Sequence, residues 1–203
     1  VSRADLWACI ESVRGRGHGQ AARRVQSVLK RVFDYAITRG LASSNPEAGI
    51  RPSHIAPAGR RDRVLSPTEL PIWVHAIQTS RLSKPLKLAL RLLLLVPVRK
   101  GELLHARWDH LNLSAKTWHL PKENSKNKAA ITHKLTPQTM GIFEELRVLA
   151  SGSVWVLPST RNYGRQPIAA ATLNSALRGI KGLPSGVVVH DLRRTVRTYL
   201  TEL

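Results

Sequence analysis

Cysteine is nearly absent from this chain of 203 residues, where Cys9 stands alone. A single thiol builds no disulfide framework and no cysteine-based zinc site, and it suits a reducing compartment. Acidic residues are scarce too: 13 Asp and Glu stand against 32 Lys and Arg, for a formal net charge of +19. An excess of that size points to a polyanionic partner, most simply nucleic acid. Long apolar runs are also missing. The longest, "LALRLLLLVPV", is interrupted by Arg91 and is too short to span a membrane, so no membrane partner is expected. The eight histidines are scattered, His105 and His110 are five apart, and no H-E-x-x-H or carboxylate cluster offers a metal site. No signal-peptide pattern opens the chain; starting at Val1, it reads as a fragment or a processed chain.

What is present is ample for a core. Hydrophobic residues make up 42% of the chain, which excludes wholesale disorder. The length suits one ordinary domain plus part of another. "SRAD" at the start has the form of a capping box, with Leu6, Ile10 and Val13 on one helical face. From Gln20 to Arg39, Ala21, Val25, Val28, Leu29, Val32, Phe33 and Ala36 form an apolar stripe. Arg23, Arg24, Lys30 and Arg31 fall largely off that stripe, as a candidate DNA-binding face. Residues 51–65 belong to a Pro- and Gly-rich stretch that includes Arg60, Arg61 and Arg63, and they read as a linker with further basic contacts.

After the linker, "SPTE" supplies an N-cap at Ser66, a proline at the first helical position and a glutamate at the third. A second helix is predicted over 83–96, and a short one in "RKGELLHARW". "DHLNLSAKTWHLP" predicts a hairpin, "AITHKL" a third strand, and helices follow near 137–150, in "AAATLNSALRGI" and from His190 onward. The fold class is α+β, mainly helical, with a small antiparallel sheet. The domains are 1–50, a partial helical DNA-binding domain; 51–65, the linker; and 66–203, a second domain.

"VVVHDLRRT" brings three β-branched residues into His190, at what reads as a strand-to-helix step, with Arg193 three residues on. Residues three apart share a helix face. A histidine ring N–H and a guanidinium fork there can hold one phosphate. Arg99 is a charge at a helix start directly after an apolar run, and Glu102 is spaced to orient it. Lys122, Lys126 and Lys128 lie on the loop between strands, where a lysine can close on a substrate and deliver a proton.

Four segments, in this order and at this spacing, resemble the catalytic region of the tyrosine recombinases, in particular phage and genomic-island integrases. They are "LLLLVPVRKGELLHARWDHLNL", "WHLPKENSKNKAAITHKLTP", "VWVLPSTRNYGRQPIAAATLNSALRGI" and "VVVHDLRRT". "VLKRVFDYAITRGLASSNPEAGI" is similar to the end of their core-binding domain, so the resemblance covers about residues 20–203. It implies a DNA-breaking–rejoining catalytic fold preceded by a partial core-binding domain. Arg99 falls on the first catalytic arginine, Lys126 on the hairpin lysine with Lys128 as the competing alignment, and His190 and Arg193 on the H-x-x-R pair. Glu102 falls on the acidic residue supporting the first arginine. The two arginines would clamp the oxygens of a phosphorane-like transition state, and one such donor is worth about 10²–10³ in rate. Lys126 would protonate the departing oxygen. Intact relatives work without cofactor or metal, through a 3′-phosphotyrosine.

The sequence departs from the family at Pro97, where many members have glycine, and in its tyrosines. Tyr35 is expected in the core, Tyr163 in a loop, and Tyr199 half a turn away from the His190–Arg193 face. None is assigned as nucleophile, and the chain is expected to be a C-terminally truncated integrase, inactive alone. The expected partners are duplex attachment-site DNA and other recombinase protomers, in the bacterial cytoplasm with the nucleoid. Two rivals are a non-catalytic DNA-binding prophage remnant and a basic helical transcription regulator. The second lacks a clear helix-turn-helix.

Overall fold

Ser2 and Asp5 start the first helix by exchanging bonds. The Ser2 hydroxyl accepts from the Asp5 N–H at 3.3 Å, and the Asp5 carboxylate accepts from the Ser2 N–H at 2.7 Å. The computed structural model describes residues 1–59 and 61–202, so Arg60, expected as a DNA contact, lies outside the described residues. The chain forms two compact units, Val1–Arg61 and Asp62–Leu203.

In the first unit, α1 (Arg3–Arg14) packs on α2 (Gly19–Thr38), with the one-turn α3 (Pro52–Ile55) closing the group. Ile10, Ala22, Ile50 and Ile55 are the buried centre. The α2 stripe differs from its sequence reading. Ala22 and Gln26 are buried, while Ala21, Val28 and Val32 are exposed, and Tyr35, expected in the core, is 63% exposed. The reason is the shape of its cover. The Gln26 amide donates to Glu47 and to the Ile50 carbonyl, so a polar loop, not an apolar helix, seals that side of α2. Asn45 pins the same loop, donating to Asp34 at 2.7 Å. Two residues within 51–65 are buried. Ile55 is buried in the first unit, and Leu65 in the second.

The second unit is built around α5 (Lys84–Leu95), which buries Leu88, Ala89, Leu90, Leu92 and Leu93. It packs against α4 (Glu69–Thr79), α7 (Pro137–Leu149), α8 (Thr172–Arg178) and α9 (Val189–Thr201). A three-stranded antiparallel sheet, β1 (Leu111–Asn112), β2 (Thr117–Leu120) and β3 (Ile131–Lys134), lies beside them in the order β1-β2-β3. Trp118 of β2 meets Phe143 of α7 edge-on, with ring centroids 5.6 Å apart, joining sheet to helices. The fold is thus mainly helical with a small antiparallel sheet. Val187 and Val188 form no strand; Val188 is extended and caps α9, with its N–H donating to Asp191. Among the described residues no helix is long and apolar enough to cross a membrane.

Candidate active site

Arg99 caps α6 (Lys100–Leu104), a helix of five residues. Glu102, 3% exposed, accepts the Arg99 backbone N–H at 2.6 Å and its guanidinium at 2.6 Å. A buried carboxylate is tolerated only when so matched, and the match fixes the arginine's direction. The second guanidinium nitrogen reaches the Asn127 side chain at 3.3 Å, on the β2–β3 loop. Lys126 stands on that loop. It lines, with Arg99, Glu102 and Ser125, an open cavity of 370 Å³. Lys128 is exposed, has a φ of 53° and is absent from that lining.

The two residues of "H-x-x-R" reach the same region from α9. Arg193 is half-buried and donates from Nε to the Pro97 carbonyl at 2.9 Å, which anchors it two residues from Arg99. Burial first, then the Arg99 charge, lowers its pKa, with Glu102 opposing. An arginine remains charged under such a shift, so two guanidinium groups share the single Glu102 carboxylate and leave a net positive charge suited to an anion. His190 sits in the first turn of α9. Its pKa is lowered by partial burial, then by Arg194 and Arg193, with Asp191 opposing and Arg99 adding to the lowering. It lines a separate cavity of 340 Å³, with Lys100, Arg178 and the apolar Leu177, Val187 and Val189. The structure therefore places Arg99, Glu102 and Lys126 around one cavity, Arg193 on the Pro97 carbonyl two residues from Arg99, and His190 at a separate cavity within electrostatic range of both arginines.

The remaining candidates are dispersed. Arg23, Arg24 and Lys30 line a groove of 670 Å³ in the first unit. Lys30 is paired with Asp34 at 3.0 Å, and Arg31 is exposed with its Nε on the Ser27 carbonyl at 3.2 Å. Arg61 is exposed. Tyr199 donates to the Leu65 carbonyl at 3.1 Å and so ties α9 to the start of the second unit.

Besides Asn127, three neighbours of these residues escape a reading of the sequence. Ser125 is 5% exposed, and among the described residues its hydroxyl has no protein partner. The Pro97 carbonyl is an acceptor that no side-chain pattern announces. His133 faces Trp118 across the sheet, its pKa lowered by burial, with Glu102 opposing and Arg193 adding to the lowering. The only signal for Ser125 was its place directly before Lys126.

Comparison with known proteins gives the family and the fold. Residues 63–203 match the phage integrase family, and residues 1–53 match the phage integrase central domain. The prophage integrase IntA of Escherichia coli K12 is 28% identical over 202 residues, covering 100% of this chain and 48% of that protein. The integrase of Enterobacteria phage P4 is 24% identical, covering 100% of this chain and 49% of its own length. The chain thus spans about half the length of these curated relatives. Among solved structures, a lambda integrase dimer bound to a COC′ core site superposes with a TM-score of 0.74 at 21% identity, covering 100% of this chain and 58% of that one. The Tn1549 transposon integrase in complex with a circular intermediate DNA gives 0.72 at 14% identity, covering 100% and 73%. By fold, by sequence match and by the order of its motifs, the chain belongs to the phage integrase family of tyrosine recombinases.

Proposed function

We propose that this chain is the DNA-binding and phosphate-activating part of a site-specific DNA integrase, acting on duplex DNA in the bacterial cytoplasm. Residues 1–50 supply part of the core-binding domain and residues 66–203 the catalytic part, joined through 51–65. The observation that carries this reading is the anchoring of Arg193, from a helix far away in sequence, on the Pro97 carbonyl two residues from Arg99, which Glu102 in turn holds. In the whole protein, attack on a phosphodiester builds extra negative charge on the non-bridging oxygens. Arg99 and Arg193 stabilise that charge, and Glu102 holds Arg99 in place. His190 donates a ring N–H to the same phosphate. Lys126 delivers a proton to the departing 5′ oxygen. Its position on the wall shared with Arg99 favours it over Lys128 for that role. The strand is held meanwhile as a 3′-phosphotyrosine, which conserves the bond energy for rejoining. Tyr199, committed to Leu65, and Tyr35, on α2 of the first unit, are not assigned as that nucleophile. Arg23, Arg24, Lys30, Arg31, Arg60, Arg61 and Lys128 serve as sequence-independent phosphate contacts, and other protomers join on the DNA.

The test is a binding titration with duplex DNA at several salt concentrations. Affinity is expected to fall steeply, with log K dropping by about 0.9 per phosphate contact per log unit of salt. Affinity that stays flat from low to physiological salt contradicts the reading.

A further inference from the structure

The loop before α8 presents a large aromatic ring that nothing covers. Tyr163 is 93% exposed and has a φ of 49°, the left-handed region that an aromatic residue rarely adopts. The loop is nevertheless well fastened. Ser159 N–H donates to the Gln166 carbonyl at 2.7 Å, Gly164 N–H to the Ser159 carbonyl at 3.0 Å, and the Ser153 hydroxyl to the Gly164 carbonyl at 2.6 Å. The Trp155 indole donates to the Arg165 carbonyl at 3.1 Å, and Pro158 and Pro167 bridge the loop's base. Tyr163 is therefore held outward between Arg161 and Arg165, both exposed.

The surface beside it has the same character. A groove of 570 Å³ runs along the loop, lined by Tyr163, Arg165, Thr160 and residues 152–154. Residues 152–154 also line an adjoining groove whose walls carry Arg107, Trp108 and Arg147. The Arg107 guanidinium lies over Trp155 at 5.7 Å and that of Arg147 over Trp108 at 5.8 Å. The acidic member of this wall, Asp109, is engaged by Arg107 at 2.8 Å. The strip thus offers arginines, hydroxyls and one bare ring. A DNA backbone matches it, since its phosphates take the guanidinium and hydroxyl groups and its deoxyribose faces take the ring. An apolar protein surface would desolvate the arginines without supplying an anion.

We propose that the loop 159–166 is a DNA-backbone contact outside the catalytic cavity. Arg161 and Arg165 bind phosphates, and Tyr163 packs its ring on a sugar with its hydroxyl toward a phosphate. The proposal rests on the reading of the chain as a DNA-binding integrase segment and assigns it a further contact surface.

The experiment measures the affinity of the 203-residue chain for a mixed-sequence duplex across a salt series. It compares the unvaried protein with Tyr163→Ala, with the pair Arg161→Gln and Arg165→Gln, and with Arg81→Gln, an exposed arginine on the α4–α5 turn, as a control for net charge. Circular dichroism checks that each variant is folded. Tyr163→Ala is expected to weaken binding about threefold to tenfold, the loss of one hydrogen bond and its packing, with the salt slope unchanged. The arginine pair is expected to lower the salt slope by roughly two contacts, at about 0.9 each. Arg81→Gln is expected to leave the slope where it was. Unvaried affinity and slope in both loop variants would overturn the proposal while leaving DNA binding intact. So would an effect of Arg81→Gln equal, per charge, to that of the pair. Failure of the unvaried protein to bind duplex DNA would overturn the functional reading and this proposal together.

Discussion

His190 shows how one side chain registers its surroundings. Partial burial and the cations Arg194, Arg193 and Arg99 hold its pKa below the ordinary imidazole value, with Asp191 opposing. Under the proposed function a DNA phosphate beside His190 would reverse the balance and draw a proton onto the ring, coupling DNA binding to proton uptake. Affinity should then rise as pH falls from about 8 toward about 6, because the free protein holds fewer protons than the complex over that window. His190→Gln should flatten the rise. Equal pH dependence in the two proteins would show that His190 does not face the phosphate. Arg99, Glu102, His190 and Arg193 were legible in the sequence because charges that interrupt apolar patterns at helical spacings are conspicuous. The Pro97 carbonyl, the buried Ser125 hydroxyl and the Asn127 amide were not. A backbone acceptor has no residue type, and a short polar side chain in a basic loop looks like any other.

At the scale of elements, the start of α4 joins local sequence to stability. The Ser66 N–H donates to Glu69 at 2.9 Å, and the Ser66 hydroxyl accepts the Glu69 N–H at 3.2 Å, as "SPTE" suggested, although regular helix begins only at Glu69. Arg63 adds a second hold, with Nη1 donating to the same carboxylate at 2.8 Å. These bonds, Arg63 first and the Ser66 backbone next, draw the Glu69 pKa down from 4.5 to about 2, against the opposing effect of burial. The folded pKa lies below the unfolded one. The stabilisation is therefore fully present above about pH 4.5 and is lost as pH falls toward 2. Chemical unfolding at pH 5 and pH 3 should show a larger loss for the unvaried protein than for Glu69→Gln. An identical loss in both would remove Glu69 from the acid response. Helix capping was readable because it depends on neighbours in sequence. The buried face of α2 was not, because Gln26 is covered by Glu47 and Ile50 of a distant loop, and only the fold brings that loop there.

For the molecule as a whole, two units share a strong basic excess, and the second carries its candidate site residues on three separate stretches. α6 brings Arg99 and Glu102, the β2–β3 loop brings Lys126, and α9 brings His190 and Arg193. The order of those stretches was plain in the sequence, whereas their approach depends on α5, whose buried Leu88, Ala89, Leu90, Leu92 and Leu93 let α7, α8 and α9 pack about it. The central claim is that residues from α6 and α9 act on one phosphate. Arginine side-chain Nε–H and histidine ring resonances, assigned and titrated with inorganic phosphate, test it most directly. The account requires Arg99, Arg193 and His190 to shift along one common saturation curve, and Arg193→Ala to abolish the shifts at the other two. Separate curves, or shifts no larger than those of exposed arginines such as Arg81, would contradict it.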